Sequence, residues 1–218
     1  DTQDSPRDRN EGGANKTSFL TIYEQNDTRA YHQTLGALKY GIYHDLLTDY
    51  FSTASVSATE ILDIGCLYGS TTQAFFGTKW ADLEKKPISL PASVKRTGVD
   101  LSANALAYAK SAGIYDQIIP MNLNDPHPES FVKAVENADI LFCMMCLNYF
   151  DDGVFADVLK KFAATGGREC FYTTVPMFDE RNYHPSALGL TFEKVTTTTF
   201  KHRNLTDVEK EANKACRE

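Results

Sequence analysis

No apolar stretch in this chain is long enough to cross a bilayer. The longest, Ile140 to Leu147, falls well short of the roughly 18 residues a membrane helix requires. Basic residues are also in short supply: 22 Lys and Arg stand against 29 Asp and Glu, for a net charge of −7. That balance argues against a surface that tracks phosphates, so neither nucleic acid nor membrane is expected as a partner. Five cysteines, Cys66, Cys143, Cys146, Cys170 and Cys216, make an odd number, several in apolar runs. A disulfide framework is thereby disfavoured and a reducing, cytoplasmic setting preferred. Cys143 and Cys146 form a CxxC, but a structural zinc site would want a second pair at suitable spacing. They read as buried thiols of a core strand, and no metal is expected. No apolar secretory segment opens the chain, and a first residue of Asp1 reads as a trimmed or replaced start.

What is present is a length of 218 residues, suited to one α/β domain covered on both faces. Residues 1–16 are polar, with no large apolar anchor, and read as a flexible tail. Within residues 17–58, Tyr31, Leu35, Leu38, Ile42 and Leu46 recur at helical spacing, which predicts an N-terminal helical cap. It carries Tyr31, Tyr40 and His32, which either pack the helix onto the domain or line a lid over a pocket.

Residues 59–218 alternate strand and helix. Thr59 to Ile64 is a continuous apolar strand, and Ser70 to Phe76 the helix after it. Thr78 to Arg96 looks like an insertion. RTGVDLSANALAYAKSAG then holds a strand ending in Val99 to Leu101, a capping Ser102 and a helix stopped by Gly113. Further strands are expected over Gln117 to Met121, Asp139 to Cys146 and Cys170 to Val175. One intervening helix spans about Pro128 to Asn137. The next is capped by Asp151 or Asp152 and stopped by Gly166 and Gly167. Leu190 to Val195 and Thr197 to Arg203 read as a final hairpin. This order predicts a doubly wound, mainly parallel, seven-stranded Rossmann-like sheet with an antiparallel C-terminal strand, its ligand site at the carboxyl ends of the strands.

The stretch around which this order is arranged is Ile61 to Ser70, ILDIGCLYGS: an apolar run ending in an acid, then two glycines four apart, then a hydroxyl residue. Such a strand and turn can present a nucleotide-like ligand to a helix start. A dinucleotide fingerprint would need glycine at positions 67 and 70, where Leu67 and Ser70 stand. The pattern present, DxGxxxG over Asp63, Gly65 and Gly69, resembles motif I of the class I S-adenosylmethionine-dependent methyltransferases, and the resemblance extends over about Thr59 to Arg203.

That resemblance implies S-adenosylmethionine as cofactor, S-adenosylhomocysteine (SAH) as product, and a set of cofactor-binding residues. Asp100, in GVDLS, corresponds to the acid that accepts hydrogen bonds from both ribose hydroxyls, a task suited to an acceptor-only carboxylate. Asn122 stands where many members have an adenine-binding Asp. Asp63, Gly65, Cys66, Tyr68, Gly69, Leu101, Leu123 and Cys146 complete the implied set. Two features depart from the pattern: Leu67 replaces the usual middle glycine, and 37 residues separate Asp63 from Asp100 against about 20 in the usual arrangement. The insertion accounts for the second.

Methyl transfer from a sulfonium is an in-line displacement that needs alignment and, for some acceptors, removal of a proton. The sequence shows no catalytic triad. CLNYFDD, Cys146 to Asp152, is expected to face the methyl group and is not the (D/N)PPY signature of amino-group methyltransferases. Asn148 there can orient a polar acceptor, and Tyr149 either meets the cationic sulfur or packs the loop. The candidate bases are His184, in PMFDERNYHP after the fifth strand, then His32, with His44, His202, Asp151 and Asp179 behind them. The leading expectation is methylation of O, N or S of a small metabolite. Non-methyl use of the sulfonium, by cyclisation or aminocarboxypropyl transfer, and a non-catalytic binding protein are the alternatives.

Overall fold

The structure, a computed structural model, describes residues 60–69, 72, 93–144, 146–167 and 169–172. The expected tail, helical cap and final hairpin lie outside the described residues. So do Tyr31, His32, Tyr40 and His184, the helix over Ser70 to Phe76 apart from Thr72, and most of the insertion.

Five strands are described: β1 (Glu60–Ile64), β2 (Lys95–Asp100), β3 (Gln117–Pro120), β4 (Ile140–Cys143) and β5 (Glu169–Tyr172). They form one sheet in the order β3-β2-β1-β4-β5, with every neighbouring pair parallel. After β3 the chain returns to the far side of β1, so the strand order reverses between β1 and β4. In open α/β sheets a point where the strand order reverses is where ligands bind, at the carboxyl ends of the strands.

Among the described residues, three helices with defined bounds connect the strands: α1 (Ala103–Ser111), α2 (Glu129–Asn137) and α3 (Val154–Ala164). The larger core cluster contains Leu62 and Ile64 of β1 with Phe131 and Val135 of α2 and Phe155, Val158, Leu159 and Phe162 of α3. The smaller one gathers Leu106 and Ala109 of α1 with Cys66, Ile114 and Tyr115. Side chains alternate along a strand, so Asp63, between Leu62 and Ile64, faces the α1 side. The sheet is therefore covered on both faces, as its nearly continuous apolar strands require. Phe131, Phe142 and Phe162 are fully buried, each worth roughly 1.5–3 kcal/mol of transfer free energy.

Local signals act where the sequence put them, with exceptions. Ser102 caps α1, its Oγ accepting the Ala105 N–H at 3.2 Å. Gly113, at φ 71°, ends that helix, with the Ile114 N–H returning to the Ala109 carbonyl at 2.9 Å. Gly166, at φ 92°, does the same for α3, and the Gly167 N–H meets the Phe162 carbonyl.

Three expectations need correction. Neither Asp151 nor Asp152 caps α3: the cap is Gly153 at φ 85°, with no side-chain bond. The chain needs a left-handed residue to turn into this helix, and glycine takes that conformation without the Cβ penalty. The fourth strand stops at Cys143 rather than Cys146, because Met144, Cys146 and Leu147 are buried in the connection that follows it, so the apolar run outlasts the strand. Finally, β2 begins at Lys95, inside the span read as insertion.

Candidate functional site

Gly65, at φ 67°, turns the chain out of β1. The N–H groups of Gly65 and Cys66 both donate to the Val99 carbonyl of β2, at 2.8 and 3.2 Å, and the Gly69 N–H closes the turn on the Cys66 carbonyl at 2.8 Å. A Cβ on Gly65 would lie 2.5 Å from Cys146 Sγ. Glycine is needed there both for its backbone and for the approach of the β4 loop. Cys146 is buried against that turn, with its Sγ 3.3 Å from the Ile64 carbonyl and 3.3 Å from Cys143 Sγ. Both cysteines are free thiols, and burial raises the Cys143 thiol well above its ordinary range.

Leu67 stands at φ 50°, the one non-glycine with positive φ among the described residues. The left-handed region costs a side-chain-bearing residue about 1–2 kcal/mol. Its N–H donates to Asp100 Oδ2 at 2.8 Å, a charge-assisted bond that offsets the strain. The turn after β1 and the acid ending β2 are thus joined directly. The other Asp100 oxygen, Oδ1, accepts the Ser102 N–H at 2.8 Å. Partial burial raises the Asp100 carboxyl above its usual value, while the backbone N–H groups of Ser102, Leu67 and Leu101 oppose that rise. A carboxylate has about four acceptor directions in all, and these backbone N–H groups take up most of them. Beside it Leu101 is 43% exposed, the one large apolar side chain so placed among the described residues.

At the end of β3, the Met121 N–H bonds to the Asp100 carbonyl at 2.9 Å, bringing Asn122 next to the same site. Asn122 is half-buried and its Oδ1 accepts the Asn124 N–H at 3.1 Å. Leu123 belongs to the large core cluster. Tyr68 is buried edge-on against Tyr108 of α1, with ring centroids 5.8 Å apart. Tyr149, in the 3-10 turn Leu147–Tyr149, packs against the large core cluster, which favours its packing role. Asn148 belongs to the same turn.

Four residues not singled out from the sequence have defined places here. Asp63 is 1% exposed, and Tyr115 and Thr72 donate hydroxyl hydrogen bonds to its Oδ2 at 2.6 and 2.7 Å. Burial pushes the Asp63 carboxyl up to about 6; those two bonds act downward and the Asp100 charge acts upward. Asn124 bridges two loops: its Nδ2 donates to the Tyr149 carbonyl at 3.1 Å and its Oδ1 accepts the Asp151 N–H at 2.8 Å. His127 holds the Leu123 carbonyl with Nε2 at 3.0 Å and sets its ring edge-on to Phe131. The NLNDP turn composition was a visible cue for Asn124; Tyr115, Thr72 and His127 carried none.

A separate cleft of about 730 Å³ opens at the other end of the sheet, where Glu60, Lys95 and Gln117 begin β1, β2 and β3. It is remote from the glycine turn. Among the described residues, no helix is long and apolar enough to cross a membrane.

No family model and no curated protein matches the chain. Solved structures do. The plantazolicin methyltransferase BamL, in complex with a triazolic desmethylPZN analog and SAH, is 21% identical, with 69% of this chain and 53% of that chain covered and a TM-score of 0.46. The plantazolicin methyltransferase BpumL, with a pentazolic desmethylPZN analog and SAH, is 15% identical over 72% of this chain and 57% of its own, at a TM-score of 0.42. Streptomyces venezuelae DesVI is 14% identical, over 64% and 53% of the two chains, at 0.41. This chain is similar to each of these structures and spans about half the length of each.

Proposed function

We propose that this chain binds S-adenosylmethionine at the carboxyl ends of β1 to β4 and transfers its methyl group to O, N or S of a small metabolite. The observation that carries the reading is the bond from the Leu67 N–H to the Asp100 carboxylate. It joins the glycine turn to the strand-end acid, an acceptor-only group of the kind that can meet the adjacent hydroxyls of a ribose diol. The exposed Leu101 offers an apolar surface beside that diol, and Asn122 can meet the adenine edge. Gly65, Cys66, Tyr68 and Gly69 form the turn under the ligand, and Leu123 and Cys146 back it.

When bound, the cofactor supplies a methyl group on a cationic sulfur, an electrophile needing no covalent enzyme intermediate. The chain's work is to hold an acceptor in line behind that methyl group and to exclude water. Asn148 is proposed to orient the acceptor, with Tyr31 and Tyr40 lining its space. His184, or His32, takes a proton where the acceptor carries one. The acidic overall charge favours a small-molecule acceptor over nucleic acid.

Calorimetry with S-adenosylmethionine and SAH tests the first step, and binding of neither would end this reading. Asp100→Ala is expected to weaken binding by about 1.5–3 kcal/mol, the range for a hydrogen bond to a charged group. Turnover yielding SAH supports methyl transfer, whereas methylthioadenosine would mark cyclisation instead.

A further inference from the structure

Two glycines from separate motifs make room for one aromatic ring. Gly98 pairs with Asp63 across β1 and β2, and a Cβ on it would lie 2.6 Å from Tyr115 Cδ2. A Cβ on Gly69 would lie 2.6 Å from Ile114 Cγ2 and 3.1 Å from Tyr115 Cε2. The ring therefore occupies the space Gly98 leaves empty and, with Ile114, closes on the space at Gly69. It is 2% exposed, and its hydroxyl reaches Asp63 under the turn. The left-handed Gly113 that ends α1 sends the chain back over the sheet and so delivers Tyr115 to this spot.

We propose that Tyr115 is a positioning residue for the ligand turn: its ring sets the spacing of Gly69 and Gly98, and its hydroxyl holds the Asp63 carboxylate beneath Gly65. The proposal rests on the reading of that turn as the adenosyl site. Tyr115, buried beneath the turn, acts through Asp63 and the two backbones. Asp63 is faced by the hydroxyls of Tyr115 and Thr72 and feels the charge of Asp100. The thiols of Cys66 and Cys143 lie within electrostatic reach of it. Burial raises Cys66, Cys143 and Tyr115 well above their ordinary values, so all three stay neutral near pH 7. The two carboxyls, Asp63 and Asp100, are then the groups in this cluster left to titrate; burial raises both, Asp63 to about 6. The negative charge of Asp63 favours a ligand bearing an ammonium group, as SAH does.

Calorimetric SAH titrations of the wild type and Tyr115→Phe over a series of pH values test this. Wild-type affinity is expected to fall as pH drops through about 6, where Asp63 takes up a proton. Tyr115→Phe keeps the ring but loses the hydroxyl, which removes a downward influence on Asp63. SAH affinity should weaken about fivefold near neutral pH, and the midpoint should rise by about one pH unit. Gly98→Ala, which touches no ligand but presses on the ring, should weaken SAH by a similar factor, so the idea stays testable if Tyr115→Phe fails to fold. Wild-type affinity and an unmoved midpoint in Tyr115→Phe, or wild-type affinity in Gly98→Ala, would overturn the proposal alone. Failure of the wild type to bind SAH would overturn the site reading, and this proposal with it.

Discussion

Replacing Asp63 by Asn removes a carboxylate that folding has buried at a cost. In the folded chain this group titrates at about 6, against 3.8 for an unperturbed Asp. The folded state therefore holds the proton more tightly, and the contribution to stability runs opposite to that of a salt-bridged acid. It is fully present below 3.8 and is lost as pH rises through about 6. The whole difference, about 2.2 pKa units, corresponds to roughly 3 kcal/mol. Over an accessible window from about pH 5 to about pH 7.5, the lost part is about 1.4 kcal/mol. Asn cannot ionise, so relative to wild type Asp63→Asn should gain about 1.4 kcal/mol across that window. In a protein of this size that is about 3 to 6 °C of melting temperature. Any constant cost, such as an unmet Asn N–H, cancels in the comparison. Paired urea or thermal unfolding curves at the two ends of the window measure it. Parallel pH dependence in the two proteins would refute a buried, upward-shifted Asp63.

Two further substitutions probe the turn and its neighbour. Gly65→Ala combines a left-handed backbone with a Cβ 2.5 Å from Cys146 Sγ, whereas Gly113→Ala meets nothing within 4 Å at nearly the same φ. The first should lose about 3 kcal/mol and the second about 1 kcal/mol in urea unfolding; equal losses would deny the close approach of the β4 loop. Asn124→Ala should raise amide exchange at Asp151 about tenfold by removing its acceptor, while Asn124→Asp, which still accepts but cannot donate, should protect Asp151. Unchanged exchange in the Ala variant would show that Asn124 does not tie the two loops together.

Much of the site frame was legible in short patterns. Asp63, Gly65 and Gly69 were read from their spacing, and Asp100 from its place at the end of the second strand. The structure joins them through the Leu67 N–H. Leu67 itself was read as a departure from the usual glycine, and it does take the positive φ that glycine favours. Errors arose where an apolar run continued past its strand, at Cys143, and where a plausible acidic cap stood one or two residues before the true one, Gly153.

The sequence by itself determined the alternation of strands and helices, the Ser102 cap, the glycine stops and the acid-glycine turn. Those features depend on residues a few positions apart, so the local backbone and its nearest hydrogen bonds decide them. Only the tertiary structure decided that Tyr115 reaches Asp63 across 52 positions, that Asn124 grips Tyr149 across 25, and that Cys146 approaches Gly65 closely enough to exclude a methyl group. Such contacts follow from which strands lie side by side and which side chains are left facing one another. No local pattern records that, because each partner is an ordinary residue in its own segment.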